Sequence, residues 1–226
     1  MNKHILRALA LLLTLALSLT ALAACRNDEG INESDFKTEF SEEPTNHVLM
    51  SITFIDSKGA EQTGKLVVEL DPTAAPITVE NFKSLVGGGF YNGLTFHRIY
   101  KGFMIQGGDP EGNGTGGAAQ KIKGEFSANG HQNPISHKRG VISMARGSYS
   151  YNSASSQFFI MHADNEGLDG QYAAFGRVIY GMETVDAIAS TAVVRNPNSG
   201  ERSTPITPPV INFARFVTVT GDAVVQ

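Results

Sequence analysis

FHRIYKGFMIQGGD, residues Phe96–Asp109, carries an arginine, a glutamine and the large apolar pair Phe103 and Met104 in what reads as two short strands with tight glycine turns. A buried apolar run excludes His97, Arg98 and Gln106, because an unpaired charge or polar group in a core costs several kcal/mol. These residues therefore border a cleft. The segment reads as one wall of a binding site.

Upstream, Val48–Asp56 (VLMSITFID) and Lys65–Leu70 (KLVVEL) read as strands joined by the polar turn SKGAEQTG, a hairpin. Pro76–Val86 (PITVENFKSLV) places Val79, Phe82 and Val86 at 3,4 spacing behind an initial proline and reads as an amphipathic helix. Further short strands are expected at Thr95–Ile99, Phe103–Gly107, Val141–Ala145, Phe158–Met161 and Ala174–Ile179. A second helix is expected at Met182–Ala189, and a last strand with only partial alternation at Val210–Thr220. Many short strands, two helices and no βαβ rhythm point to a closed or sandwiched antiparallel architecture.

Three further blocks, GVISMAR (Gly140–Arg146), NSASSQFFIM (Asn152–Met161) and LDGQYAAFGRVIYGMETVD (Leu168–Asp186), stand in order behind the opening segment. Together the four blocks resemble the cyclophilin family of peptidyl-prolyl cis/trans isomerases, over His47 to about Ala189. The resemblance implies a mainly β fold, a closed eight-stranded antiparallel barrel capped by two helices. It also implies an activity, isomerisation of X-Pro bonds in polypeptides, with no metal and no cofactor.

Rotation about a peptide bond faces a barrier of ~18–20 kcal/mol, because the nitrogen lone pair is delocalised into the carbonyl. No bond breaks. A catalyst must grip the proline ring, hold the flanking backbone and favour the twisted state. Carried over by the resemblance, the catalytic arginine is Arg98, which would donate to the prolyl nitrogen or the adjacent carbonyl. The proline socket is Phe103, Met104, Phe159 and Leu168. Gln106, Ala145 and Gln157 hold the substrate backbone, His97 is a supporting wall residue, packed and hydrogen-bonded, and Tyr172 completes the pocket. Taken singly, each of these side chains also fits a bland role in core or surface; the joint pattern favours the site.

The chain departs from the family in places. Gly167 stands where many members carry tryptophan, and this chain has none, so the rim is thinner and weak binding of the inhibitor cyclosporin is expected. Tyr172 replaces a frequent histidine, Arg146 a frequent asparagine, and Tyr100 with Lys101 a frequent Ile-Pro pair; the latter changes could alter the preference for the residue before proline. The polar, proline-rich stretch Thr191–Pro209 has no assigned role. The alternative reading is a proline-peptide binding module or holdase with little catalysis; a lipid-anchored docking barrel is a third.

The N-terminus carries its own pattern. Lys3 and Arg7 precede a 17-residue apolar run, Ala8–Ala24, which reads as a signal peptide (1–24) and falls short of the roughly 20 residues of a membrane span. Leu22-Ala23-Ala24-Cys25 resembles the lipobox of bacterial lipoproteins, which implies lipidation of Cys25 and an extracytoplasmic, membrane-anchored protein; the bland reading is a chance cysteine. As the only cysteine, Cys25 cannot form an intrachain disulfide. Residues 25–46 are acid-rich and read as a flexible tether, with the isomerase domain at 47–226.

Removing 1–24 takes two of the 18 basic residues and none of the 22 acidic ones, leaving a net charge near −6. That balance excludes a general nucleic-acid binder, which needs a basic face. A monomer is expected. GNGTGG (Gly112–Gly117) has dinucleotide-loop spacing but is followed by AAQKIKGEF rather than a helix. Asp109–Gln120 mimics a calcium loop but ends in Gln120, without the bidentate glutamate. His131 and His137 read as surface-loop residues, not zinc ligands.

Overall fold

Alternation along β2 (His47–Ile55) and β3 (Glu61–Leu70) sets the architecture. In this computed structural model, which describes residues 30–32 and 36–221, Val48, Met50, Ile52, Leu66, Val68 and Leu70 join one interior cluster. Leu49 and Val67 belong to a second cluster on the opposite face. Successive strand side chains face opposite ways, so both faces of this hairpin are buried. The hairpin is longer than expected, because β3 begins at Glu61 inside the stretch read as a turn.

The chain continues through α1 (Pro76–Gly87), β4 (Thr95–Tyr100), β5 (Met104–Asp109), β6 (Val141–Met144), β7 (Phe158–Met161), β8 (Ala174–Tyr180) and α2 (Met182–Ala189) to β11 (Val210–Gly221). Antiparallel neighbours run β11-β2-β3-β8-β6-β7-β5-β4, and β4 returns to β11. Eight strands therefore close into a barrel, as expected. The closing seam is short: Val210 lies opposite Thr95, Phe96 N donates to Pro209 O at 2.9 Å, and Ile211 N donates to Leu94 O at 2.8 Å. Partial alternation in β11 has a cause in the irregular register between Ile211 and Phe213. An extra residue there reverses the facing of the rest of the strand, so Ile211, Ala214 and Phe216 point inward and Phe213 and Val217 outward.

Both helices turn apolar stripes into the barrel core. In α1, Val79, Phe82 and Val86 are buried, and the Phe82 ring lies 5.1 Å from those of Tyr91 and Phe175 and 5.8 Å from that of Phe158. Ala75 offers no side-chain cap to the helix start. Glu125 supplies one from afar, accepting from Ile77 N (3.0 Å), Thr78 N (2.8 Å) and Thr78 Oγ1 (2.7 Å). This satisfies N–H groups that an α-helix leaves unpaired at its first turn. Gly181 enters α2 with φ 86°, and a Cβ there would collide with the Lys65 carbonyl.

Two stretches differ from the sequence reading. The flexible tether through Asn46 does not hold at Ile31 or from Phe36 onward: Phe36–Phe40 forms β1, paired with β11 from Gly221 to Val217. Ile31 and Phe36 pack against Leu49, Val67, Ile179, Phe213 and Val217, and Phe36 stacks on Tyr180 at 4.8 Å. A few apolar residues at the right positions dock a segment whose average composition is acidic. Thr191–Pro209 is likewise structured, as a hairpin of β9 (Val193–Arg195) and β10 (Arg202–Pro205) forming a small sheet of its own. Cys25 and the stretch expected to be a signal peptide, 1–24, lie outside the described residues. No helix among the described residues is long and apolar enough to cross a membrane.

Candidate active site

The opening segment forms β4, a turn and β5, held in antiparallel register with Arg98 opposite Gln106 and Tyr100 opposite Met104. The register slips between Phe96 and Arg98, so His97 is the extra residue of a bulge. Gly107 and Gly108 lie inside β5 rather than in turns. They are glycine for close approach: a Cβ on Gly107 would press on the Thr95 carbonyl, and Gly108, at φ 81°, has the Ser156 carbonyl in the same place.

One cleft of about 650 Å³ is lined by His97, Arg98, Phe103, Met104, Gln106, Ala145, Phe159, Leu168 and Tyr172. Nine of the ten residues expected to bind or act on substrate thus share one wall system. The tenth, Gln157, stands behind Gln106 and lines an adjoining cleft of about 360 Å³ with Ala145 and Arg146. Met104 and Phe159 are almost fully buried and form an apolar floor with Val141, Met161 and Ala174, against which Phe103, Leu168 and Tyr172 pack. The Phe159 ring meets Tyr172 edge-on at 5.7 Å and lies nearly parallel to His137 at 6.0 Å.

Polar groups form a chain along one side. Arg98 Nη1 donates to Gln106 Oε1 (3.1 Å), Gln106 Nε2 to Gln157 Oε1 (3.0 Å), and Gln157 Nε2 to the carbonyls of Gly116 (2.7 Å) and Gly114 (3.1 Å). Those glycines sit in the loop that mimics nucleotide and calcium sites. The loop is held by Asp109, which accepts backbone N–H bonds from Glu111 (2.9 Å), Gly114 (2.6 Å) and Asn113 (3.2 Å). Burial works to raise the Asp109 pKa, but these backbone donors win and hold it below the usual carboxylate value.

Opposite Gln106, the other edge of Arg98 meets Glu201 from the β9–β10 hairpin: Nε donates to Oε2 at 2.6 Å and Nη2 to Oε1 at 2.8 Å. The hydrogen bonds from Arg98 hold the Glu201 carboxyl below its usual pKa. No sequence pattern singles out Glu201, although it is the sole acid in Thr191–Pro209. Asn196, Asn198 and Ser199 of the same hairpin also line the cleft.

Histidines differ from expectation. His97 is packed, but among the described residues neither ring nitrogen has a hydrogen-bond partner. Burial lowers its pKa, with Asp109 opposing and Arg98 assisting. His137 is fully buried rather than a surface-loop residue, with Nδ1 2.8 Å from Asp169 Oδ1 and Nε2 3.0 Å from Ser143 Oγ. Burial lowers its pKa too, against the pull of Asp169. The Ser143-His137-Asp169 chain imitates a hydrolytic triad, yet Ser143 has no exposed surface and cannot reach a substrate. Its place is under Phe159, as a rigid support.

Arg146 is not a loose charge. Its guanidinium lies 4.9 Å from the ring centroids of Tyr151 and Tyr172 and 5.4 Å from that of Phe126, and it donates to the carbonyls of Gln171 and Gly147. Tyr100 and Lys101 stand outside the cleft lining, Tyr100 resting edge-on against Phe103 at 6.1 Å.

An apolar socket thus stands beside a guanidinium held on two edges, on a closed antiparallel barrel. The family model described as "Cyclophilin type peptidyl-prolyl cis-trans isomerase/CLD" matches residues 54–212. The chain belongs to this family and is a cyclophilin-type peptidyl-prolyl cis-trans isomerase. It is 42% identical over 135 residues to peptidyl-prolyl cis-trans isomerase B of Bacillus subtilis, covering 60% of this chain and 90% of that protein. It is 38% identical over 188 residues to peptidyl-prolyl cis-trans isomerase A of Dickeya dadantii, covering 80% and 90%. A solved cyclophilin-type isomerase of Cryptosporidium parvum, crystallised in the presence of the dipeptide Ala-Pro, superimposes with a TM-score of 0.57 at 31% identity over 74% of this chain and 98% of that one.

Proposed function

We propose that Arg98 is the catalytic group, that the socket of Phe103, Met104, Phe159, Leu168 and Tyr172 takes the proline ring, and that Gln106, Gln157 and Ala145 hold the flanking backbone. The observation that carries this is the placement of a guanidinium, gripped on two edges, beside an apolar floor. A pyrrolidine ring has no N–H, so the socket need offer only apolar area. As the X-Pro bond twists, the nitrogen recovers its lone pair and the carbonyl loses conjugation. An N–H of Arg98 directed at either one bonds more strongly in the twisted state than in the planar one. That difference lowers the barrier; equal binding of both states would not. The Ala-Pro dipeptide named for the solved relative is a ligand of the chemistry this socket fits.

The same reading places the protein outside the cytoplasm, tied to a bacterial membrane by lipid on Cys25, assisting newly exported chains. The Leu22–Cys25 pattern supports the anchor. Five residues from Cys25 to Gly30 span at most about 18 Å, so β1 pairing to the barrel would keep the domain near the lipid surface. A binding-only role is the rival, favoured by Gly167, which brings no ring of its own beside Leu168.

NMR exchange spectroscopy on an X-Pro peptide separates the two. The parent domain accelerates exchange, and Arg98→Ala slows it roughly ten- to over a hundredfold, the effect of losing a charge-assisted hydrogen bond worth ~1.5–3 kcal/mol. Binding without acceleration by the parent would leave only the rival.

A further inference from the structure

The β9–β10 hairpin stands apart from the barrel sheet, yet its turn is tightly built. Asn196 N donates to Glu201 O at 2.7 Å, Gly200 N donates to Asn196 O at 2.9 Å, and the Asn196 side chain accepts from the N–H groups of Asn198 (2.9 Å) and Ser199 (3.1 Å). Ser203, buried to 1% exposure, helps Arg98 hold the Glu201 carboxyl below its usual pKa. The hairpin therefore presents one carboxylate, at a set height, to the edge of Arg98.

We infer that Glu201 is a positioning residue for Arg98, and that the hairpin is part of the catalytic apparatus. The guanidinium has five N–H groups. Glu201 takes one on Nε and one on Nη2, and Gln106 takes one on Nη1. One N–H on Nη2 remains for the substrate, and the second N–H on Nη1 faces only the weakly accepting Met104 Sδ at 3.9 Å, which a substrate oxygen can displace. A long arginine side chain samples many rotamers, and a two-pronged carboxylate contact fixes both the plane and the rotation of its fork. With Gln106 on the far edge, the guanidinium is clamped between a barrel strand and the hairpin, so the remaining N–H groups keep one direction while the amide twists.

Two features argue against a latch that must open before turnover. The ion pair uses Nε and one N–H of Nη2 and nothing on Nη1, so a hydrogen bond to substrate does not require the pair to break. The pair is also partly exposed, at 34% for Arg98 and 26% for Glu201, so solvent screens its contribution to folding stability. The contact is thus better explained by orientation than by stability, and its removal should leave the fold standing.

This inference rests on Arg98 being the catalytic group, and the test separates the two. Parent, Glu201→Ala, Glu201→Gln, Arg98→Ala and the Arg98→Ala/Glu201→Ala double variant are compared by exchange spectroscopy across peptide concentrations. Glu201→Ala is expected to lower kcat about ten- to a hundredfold, the range for a misplaced catalytic group, with KM little changed. Glu201→Gln, which still offers a carbonyl oxygen to one N–H, should recover part of the loss. In the Arg98→Ala background, removing Glu201 should cost nothing further, and the urea midpoint of Glu201→Ala should stay near that of the parent. Activity of Glu201→Ala at or above the parent overturns the inference, as does an equal loss with and without Arg98. Full activity of Arg98→Ala would instead overturn the assignment of Arg98 itself.

Discussion

Phe159→Ala tests the socket separately from the arginine. The ring is 5% exposed, set in β7 between Gln106 and Ser143 of the neighbouring strands, with Tyr172 on its edge and His137 beneath it. Phe-to-Ala truncations in cores cost about 3–5 kcal/mol; here one side of the new cavity opens into the cleft, so the low end, ~3 kcal/mol, is expected. A domain of ordinary stability, about 5–15 kcal/mol, stays folded after that loss. For the substrate, losing roughly 60 Å² of apolar contact with the proline ring at ~25 cal/mol/Å² removes about 1.5 kcal/mol, or about tenfold in affinity. The floor touches the ring in planar and twisted states alike. The loss should therefore fall on KM, with kcat changed by less than about threefold, the opposite of Arg98→Ala. His137 provides an independent readout: with Phe159 gone, water reaches its ring and its depressed pKa should climb back toward 6.5. Exchange kinetics over a range of peptide concentrations and a histidine NMR titration supply both measurements. A large fall in kcat with unchanged KM would refute the assignment of Phe159 to the socket floor.

Burial also lowers the pKa of His97, His137 and His162 below the ordinary 6.5. Because the unfolded chain then binds these protons more readily, stability is full above pH 6.5 and declines as pH falls through that value toward the lowered folded pKa values; a urea midpoint that does not drop below pH 6.5 contradicts this. Gly167 has a backbone any residue adopts, and an added Cβ would meet only Asn165 Oδ1, at 3.1 Å. Gly167→Trp should thus fold, and calorimetric titration should show weak cyclosporin binding by the parent and tighter binding by the variant; tight binding by the parent defeats the expectation. Fatty-acid labelling of the full chain in a bacterial host should be present in the parent and lost in Cys25→Ser, and label retained by the variant would rule out Cys25 as the anchor.

Much of the site was legible because it is local. Arg98, Phe103, Met104 and Gln106 lie within nine residues of one another, and their strand pairing follows from their own alternation. The barrel strands and both helices were likewise readable from periodicity, with boundaries shifted by a few positions. What failed did so where position outweighed composition. An acidic segment docks through Ile31 and Phe36, and a polar, proline-rich stretch folds back as β9 and β10. His137 reads as a loop histidine until Phe159, Ser143 and Asp169 are seen around it.

By itself, then, periodicity determined an antiparallel β architecture, closed or sandwiched, and the four contiguous blocks determined the family, the barrel it implies and the composition of one cleft wall. Only the tertiary structure joined Arg98 to Glu201 across 103 positions of chain. The opening segment supplies the guanidinium and one residue of the floor, Met104. The guanidinium's two-pronged partner lies on a hairpin beyond the second helix, and no local pattern encodes the closure that brings the two together.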